Sequence, residues 1–269
     1  MHPSEEPMHY LIQGEGPPVI LVHGIAAASS DWETLIPELV QAGYRACAPD
    51  LLGHGLSPKP DDPQAYHSRT FYTHLENWIK SLCLERPPVF VGHSLGGYLS
   101  LRYSIRHPHE VSGLVLINPL YSPQQLSPAV RLVQRRPRLG KIALRTAPQW
   151  LINSFFILDP SASTKYPPDK ALQIAADLKR ASPNIVYLPR TFRDLTPRLP
   201  EVVAPALVIW GDKDLTLHPA SFPRLVKTLP DAVGSPIQGS GHQPHFTHPN
   251  TVNRLVLEFL KTLPGFKNL

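Results

Sequence analysis

The sequence predicts an α/β protein in which a mostly parallel sheet is covered by helices on both faces. Short runs of β-branched and aliphatic residues recur along the chain, and each is followed by a segment with helical periodicity. This alternation is typical of strand–helix–strand units with parallel pairing. The pattern changes between residues 120 and 199, which indicates a mostly helical insertion within one α/β domain.

The predicted strands and helices alternate on either side of the insertion. Before it, the strand and helix pairs are 19–22 with 32–39, 44–48 with 70–82, and 89–91 with 95–105, followed by a strand at 114–117. After it come a strand at 206–210, a helix at 222–229, a strand at 233–238 and a helix at 251–260. We therefore expect a core formed by residues 1–119 and 200–269, and a helical cap formed by residues 120–199.

Composition is that of an ordinary globular protein. The 269 residues are 42% hydrophobic and 17% charged. The first seven residues lack the basic start and apolar run of a secretory signal, and no apolar run reaches membrane-spanning length. We therefore expect a cytoplasmic protein that does not insert into a membrane. Cys47 and Cys83 are expected to be small buried residues and not a disulfide pair.

Charge is distributed unevenly between the predicted cap and core. Residues 120–200 contain 13 Lys+Arg and 4 Asp+Glu, whereas the remainder contains 13 and 17. Arginines on the outer faces of amphipathic helices explain a basic cap, and attraction of an anionic substrate or membrane surface is the alternative. Nucleic-acid binding is not expected, because no recognised motif for reading bases accompanies the basic residues.

The most informative segment is VFVGHSLGG at residues 89–97, a buried strand that leads into a glycine-flanked serine. A serine on so sharp a strand-to-helix turn requires small residues two positions to either side, and Gly92 and Gly96 meet this requirement. The order of strand, turn and helix is that of a nucleophile elbow with Ser94 at its apex. The alternative is that Ser94 only caps the following helix.

Two later loops supply the partners that a serine nucleophile needs. Asp214 follows the strand at 206–210, and His242 follows the strand at 233–238. Both therefore lie at carboxyl ends of strands, where α/β folds assemble their sites. A serine hydroxyl needs a base to remove its proton, and the base needs a third group to orient it. The chain order serine, aspartate, histidine differs from that of the other serine-hydrolase folds.

With these motifs the chain resembles the α/β-hydrolase superfamily over nearly its whole length. His23-Gly24 resembles the family's oxyanion-loop motif, and DLLGHGLS at 50–57 resembles its D-x-x-G-x-G-x-S turn. The helical insertion corresponds to the family's cap. The resemblance implies an oxyanion hole made by the backbone N–H groups of Leu95 and Ile25, with Ala26 as the alternative second donor.

The resemblance also implies the roles of the three side chains. Ser94 would attack an acyl carbon, His242 would accept its proton and return it to the leaving group, and Asp214 would orient the imidazole. No cofactor is implied. A histidine base predicts activity that falls as the pH drops through roughly 6 to 7.

Other acidic and polar residues compete for these roles. Asp212 is the alternative acid, but the family's G-x-x-D spacing favours Asp214, and Asp212 is then a turn residue. Asn118 ends the strand before the insertion, where some relatives carry an acid, yet an amide has no charge to balance an imidazolium. Asp50 and His54 are expected to stabilise the turn that contains them.

No metal site is expected. Three histidines recur every third residue: His242, His245 and His248. Pro244 and Pro249 interrupt any helix that would align them, and no H-E-x-x-H pattern occurs. For His93, beside the serine, a place on the floor of the pocket and a packed structural position are equal alternatives.

Differences from the motifs of particular subfamilies restrict the reactions that this chain is expected to catalyse. Ser94 stands where relatives that displace halide or open epoxides carry aspartate, and IAAA at 25–28 replaces the glycine run of many lipases. A carboxylesterase with an apolar pocket lined by the cap, acting on a small-molecule substrate with a medium-sized apolar acyl group, is the leading hypothesis. A carbon–carbon bond hydrolase or lactonase of the same fold, or a ligand-binding protein without turnover, is the alternative.

Apolar cap residues could line an acyl pocket, although one packed face is expected of any cap. They are Trp150, Leu151, Phe155, Phe156, Ile157 and Leu158.

Overall fold

A computed structural model describes residues 7–146 and 168–266. Within them lies one seven-stranded sheet in the order β1-β3-β2-β4-β5-β6-β7. Every neighbouring pair is parallel except β1 with β3, which is antiparallel. The strands are β1 (Tyr10–Gln13), β2 (Pro18–Val22), β3 (Arg45–Pro49), β4 (Val89–His93), β5 (Gly113–Ile117), β6 (Ala206–Gly211) and β7 (Ala232–Ile237). The predicted α/β class with a mostly parallel sheet is confirmed.

Helices connect the strands and cover the sheet. In chain order they are α1 (Leu35–Gln41), α2 (Ser68–Ser81), α3 (Leu95–Arg106), α4 (Pro128–Arg135), α5 (Pro137–Thr146), α6 (Pro168–Arg180), α7 (Ser221–Thr228), α8 (Pro244–Thr247) and α9 (Pro249–Thr262). The predicted helix at 32–39 is instead a 3-10 helix, Ser29–Trp32, followed by α1. None of the helices in the described ranges combines the length and apolarity needed to cross a bilayer.

The central strands are apolar on both sides because helices cover both faces of the sheet. Along β4, Val89 and Val91 belong to one apolar cluster and Phe90 belongs to the other. All three are fully buried. This two-sided burial explains why β4 is a continuous apolar run without alternation of polar residues. Strand β1 is different: it is an edge strand whose residues are mostly exposed, and it was not among the strands predicted from the sequence.

Helical structure fills the described part of the chain between β5 and β6. It comprises α4, α5, α6 and three 3-10 helices, Pro123–Gln125, Pro183–Thr191 and Thr196–Glu201. Helix α6 is tied to the core, because Ser30 Oγ donates to Asp177 Oδ2 over 2.6 Å and Lys170 pairs with Glu33. The limits 120–199 for the cap remain a prediction. The six apolar residues expected to line a pocket lie outside the described residues.

The two cysteines differ in environment. Both are free thiols; Cys47 is buried in β3 and Cys83 is exposed. The expectation of a buried residue is therefore wrong for Cys83. It lies in the turn after α2 with a φ of 46°, so its side chain leaves the core where the helix ends.

The turn at 50–57 is organised by a buried carboxylate. Asp50 accepts hydrogen bonds from the backbone N–H groups of Ser29 and Leu56, over 2.7 and 2.8 Å. Burial alone would raise the pKa of Asp50, but these hydrogen bonds to the charged form lower it. Gly55 has a φ of +48°, and a Cβ there would lie 2.2 Å from the carboxyl carbon of Asp50. The expected structural role of Asp50 agrees with these contacts.

His54 in the same turn is fully buried, and its Nδ1 donates to the carbonyl of Leu52 over 2.8 Å. Burial is the main cause that lowers the pKa of His54 to about 3, and the neighbouring His23 acts in the same direction. The folded state therefore holds this imidazole neutral at pH values where the unfolded chain would protonate it.

We expect His54 to make the fold acid-sensitive. Its pKa is lower in the folded than in the unfolded state, so stability is lost as the pH falls below the unfolded value of about 6.5 toward 3. Between pH 7 and 5 this one group accounts for a loss of about 2 kcal/mol. In His54→Asn, whose amide can replace the Nδ1 donor, that loss should disappear. Urea unfolding at both pH values measures it, and an unchanged pH dependence in the variant would contradict the assignment.

Candidate active site

Ser94 occupies a strained turn between β4 and α3. Its φ of 50° and ψ of −107° lie outside the regions that residues other than glycine ordinarily adopt. Neighbouring segments hold the turn: Ser94 N–H donates to the carbonyl of Ile117 over 3.0 Å, and the Ser94 carbonyl accepts from the N–H groups of Tyr98 and Leu120. Such strain persists where the surrounding structure enforces it, and it is concentrated at functional sites.

The two flanking glycines are required for different reasons. A Cβ at Gly92 would lie 2.6 Å from the carbonyl oxygen of Gly96, within the turn itself. A Cβ at Gly96 would lie 1.9 Å from the carbonyl oxygen of Val22, so here the obstacle is strand β2. The need for small residues follows from the sequence pattern, but the contact with β2 is visible only in the fold.

Asp214 and His242 form the hydrogen bond that their expected roles require. His242 Nδ1 donates to Asp214 Oδ2 over 2.8 Å, and the Asp214 side chain is fully buried. The other carboxylate oxygen, Oδ1, accepts from the backbone N–H groups of Thr216 and Leu217 over 2.8 and 2.9 Å. The carboxylate is therefore held rigidly against the ring. This arrangement can fix the imidazole tautomer and stabilise the imidazolium that forms when Nε2 accepts a proton.

Asn118 is a further member of this network. Its Nδ2 donates to Asp214 Oδ2 over 2.6 Å, and its Oδ1 accepts from the N–H of Gly211 over 3.3 Å. Asn118 adopts a φ of 40° at the end of β5. From the sequence, Asn118 was considered only as a competitor for the role of the acid, and its contact with Asp214 was not predicted. Its place at the carboxyl end of a strand was the signal that could have indicated it.

The loops that carry Asp214 and His242 are in close contact. A Cβ at Gly211 would lie 2.0 Å from the carbonyl oxygen of Gly241. Asp212 Oδ1 accepts from the N–H of Gly239 over 2.7 Å and so ties the two loops together. Asp212 thus has a structural contact, in agreement with the turn role expected for it.

His93 lies between the nucleophile turn and the His242 loop. Its Nε2 donates to the carbonyl of His242 over 2.9 Å, and the two rings are 5.0 Å apart between centroids. Burial and the neighbouring histidines hold the pKa of His93 well below its ordinary value. His93 both packs and lines the cavity, so the two expected positions coincide. A Cβ at Gly24 would lie 2.7 Å from His93 Nδ1, so this loop also needs glycine.

Ser94 and His242 face one cavity of about 90 Å³. Residues of the loop after β2, of the nucleophile turn, of α6 and of the His242 loop line it: Ile25, Ala26, Ala27, Asp31, His93, Ser94, Ile174, Asp177, Leu178, Thr216, His242 and Gln243. Leu95 is the first residue of α3, so its N–H has no acceptor within the helix. The oxyanion candidates therefore comprise Ile25 and Ala26 on the cavity wall and Leu95 beside Ser94.

The three histidines at every third position do not share a helix. Pro244 begins α8 and Pro249 begins α9, which places His245 in α8 and His248 between the two helices. His242 precedes both. The prolines therefore keep the three histidines off a common helix, as expected, although His242 and His245 both lie against the His93 ring.

Comparison with known proteins identifies the family. A family model described as the alpha/beta hydrolase fold matches residues 17–249. The chain therefore belongs to the α/β-hydrolase family, and the resemblance stated from the motifs is confirmed.

The matched proteins are named for different enzymatic activities. A 2-hydroxy-6-oxononadienedioate/2-hydroxy-6-oxononatrienedioate hydrolase of Paraburkholderia xenovorans is 28% identical over 96% of this chain and 91% of its own length. A haloalkane dehalogenase of Mycobacterium marinum is 30% identical over 85% of this chain and 80% of its own. The crystal structure of a bromoperoxidase from Bacillus anthracis has a TM-score of 0.83 and 25% identity, covering 97% of this chain and 98% of that one. These matches support a hydrolase of the α/β family.

Proposed function

We propose that this protein is a serine hydrolase that cleaves carboxylic esters through an acyl-enzyme intermediate. The observation that carries the proposal is the shared cavity, because the strained Ser94 and the ring of His242 both face it. The same ring is hydrogen-bonded to Asp214. A nucleophile, a base and an orienting carboxylate are the parts that acyl transfer requires.

In the proposed reaction, Ser94 Oγ attacks the ester carbonyl carbon while its proton passes to His242 Nε2. Asp214 stabilises the resulting imidazolium, and backbone N–H groups at Leu95 and at Ile25 or Ala26 stabilise the oxyanion. The tetrahedral intermediate collapses as His242 gives the proton to the leaving alcohol. Water then attacks the acyl-serine by the same proton transfers and releases the carboxylic acid.

The lining of the cavity favours a neutral acyl group. Two carboxyl groups, those of Asp31 and Asp177, lie on its wall, and the described lining residues include no lysine or arginine. The second carboxylate of a dioate, the substrate type in the name of the Paraburkholderia relative, would find no cationic partner there. Like charges in such a site repel. A small neutral ester therefore fits this cavity better than a dicarboxylate.

The nucleophile and the cavity volume further restrict the substrates that the site is expected to accept. Ser94 stands at the elbow where aspartate is expected of enzymes that displace halide, which disfavours the reaction of the Mycobacterium marinum relative. A cavity of about 90 Å³ suits an acyl group of a few carbons. For comparison, a cavity of about 150 Å³ holds benzene.

Ser94→Ala should abolish ester hydrolysis, because no other hydroxyl would form the acyl-enzyme. We expect a fall in kcat of at least about 10³-fold on p-nitrophenyl acetate. An organophosphonate should label the wild-type protein stoichiometrically and leave Ser94→Ala unlabelled, as mass spectrometry would measure. Ligand binding without turnover or labelling in the wild type would instead favour a binding protein.

Asp214→Asn should lower kcat on the order of 10³- to 10⁴-fold, because the imidazolium loses its counter-charge. Asn118 Nδ2 lies 2.6 Å from the same carboxylate oxygen, so the double variant Asn118→Asp/Asp214→Asn returns one carboxylate close to the ring. We expect it to recover at least about tenfold over Asp214→Asn. Asn118→Asp alone is the matched control. A double variant no faster than Asp214→Asn would argue against the charge-based role.

Esters of matched length should separate by charge. We expect kcat/KM for a p-nitrophenyl monoester of glutaric acid to be at least about tenfold below that for the pentanoate ester, because Asp177 repels the free carboxylate. Asp177→Asn, which removes this charge, should reduce the difference in kcat/KM between the two esters. Acetate and butyrate esters should be hydrolysed faster than the octanoate ester. A preference for the glutarate monoester would point to a dicarboxylate substrate.

A further inference from the structure

A second group of buried polar side chains lies beside the candidate triad. Asp31, His93 and His245 are at most 5% exposed, and one ligand atom from each lies within 4.8 Å of the others. They come from a 3-10 helix, the end of β4 and α8, respectively. We refer to them as the Asp31–His93–His245 cluster. Only one of its members belongs to the run of histidines at every third position, so that run did not indicate it.

Four polar atoms of the cluster have no hydrogen-bond partner within the described part of the chain. They are Asp31 Oδ2, His93 Nδ1 and both ring nitrogens of His245. His245 Nε2 and Asp31 Oδ2 are 4.0 Å apart, too far for a hydrogen bond. Buried polar atoms are rarely left unpaired in native proteins, and several in one place indicate a bound ligand or water.

The lone pairs of the cluster suit a cation better than a water molecule. His93 uses Nε2–H to donate to the carbonyl of His242, which leaves Nδ1 as an acceptor. Asp31 offers only acceptors when it is ionised, and burial raises its pKa well above the ordinary value, so metal binding would release its proton. The His245 ring, neither of whose nitrogens has a hydrogen-bond partner, offers one acceptor nitrogen when it is neutral. In these forms the cluster presents three acceptors, which exceed the two O–H donors of one water molecule, whereas a metal ion binds all three lone pairs.

We propose that the Asp31–His93–His245 cluster binds a divalent transition-metal ion, with Zn²⁺ the best match to its ligands. Two imidazole nitrogens and one carboxylate oxygen are ligands that zinc favours, at about 2.0–2.2 Å. Tetrahedral ligands at that distance are about 3.4 Å apart, so the 4.0 Å between Asp31 and His245 would close by roughly half an ångström, and separations of up to 4.8 Å in the cluster would close by at most about 1.4 Å. Asp31 and His93 also line the cavity, which leaves space for a fourth ligand there.

Occupancy of the cluster is expected to inhibit hydrolysis, a consequence that rests on the proposed serine mechanism. The rings of His93 and His242 are 5.0 Å apart, so a metal bound to His93 lies close to the base. A dication there opposes formation of the imidazolium on His242. Metal binding itself does not depend on the reaction.

The binding test uses the tag-free full chain, stripped with EDTA and titrated with Zn²⁺ alone by calorimetry. We expect one site per chain. Loss of a ligand in Asp31→Asn or in His245→Gln should weaken the affinity for Zn²⁺ at least about tenfold. Replacing a residue that only hydrogen-bonds a metal ligand already weakens metal binding by about this factor. His109→Gln alters an exposed histidine outside the cluster and should bind as the wild type does. Thermal unfolding without metal checks that each variant is folded.

Each result of this test decides the proposal. Absence of a one-per-chain site, or equal affinity in all variants, would overturn it and leave a protonated Asp31 with water as the account of the cluster. Titration of bound Co²⁺ by visible absorption gives a second readout, which should lose intensity in both ligand variants. Ser94→Ala should retain the zinc affinity, so failure of the serine mechanism leaves the binding result intact.

Inhibition is measured separately. Ester hydrolysis by the wild type should fall at least fivefold when Zn²⁺ saturates the site and should return with EDTA. Asp31→Asn, compared with its own metal-free rate, should resist the same Zn²⁺ concentration. Saturation of the wild type without loss of activity would refute the inhibitory role.

Discussion

The hydrogen bond between His242 and Asp214 depends on the parallel pairing of β6 with β7, and the rest of the site is arranged around it. Each residue lies on the loop that follows its strand, so the register of the two strands brings the loops to one edge of the sheet. The glycine backbones at 211 and 241 approach too closely for a side chain between them. Backbone packing therefore determines where the imidazole stands.

Backbone strain is concentrated at the same edge. Among the described residues, those other than glycine with positive φ are Ala26, Cys83, Ser94 and Asn118. Three of the four follow β2, β4 and β5 at their carboxyl ends and surround the cavity or the Asp214 carboxylate. Hydrogen bonds to neighbouring strands hold two of these conformations: the N–H of Ser94 donates to the carbonyl of Ile117 in β5, and the N–H of Asn118 donates to the carbonyl of Ile209 in β6. The sheet thus supplies the rigidity that lets strained residues present their polar groups toward one small space.

The core contains several buried histidines, and their burial affects both the active site and the stability of the fold. His23, His54, His93 and His245 all have their pKa lowered by burial, so the folded protein keeps them neutral. The neutral rings of His93 and His245 therefore add no positive charge beside His242. The same burial makes acid a destabilising condition for the fold, because the unfolded chain protonates these rings first. Low charge near the base and acid sensitivity therefore have one cause.

The local sequence determined the fold class, the elements of the sheet core and the identity of the candidate triad. Apolar runs, helical spacing and turn glycines are short-range signals, so they predict strands, helices and the elbow at Ser94 without coordinates. Only the tertiary structure decided which polar side chains lie close together. The contact of Asn118 with Asp214 joins residues 96 positions apart, and the approach of Asp31 to His93 and His245 joins three separate segments. Such meetings depend on strand order and loop packing, which no local pattern in the chain encodes.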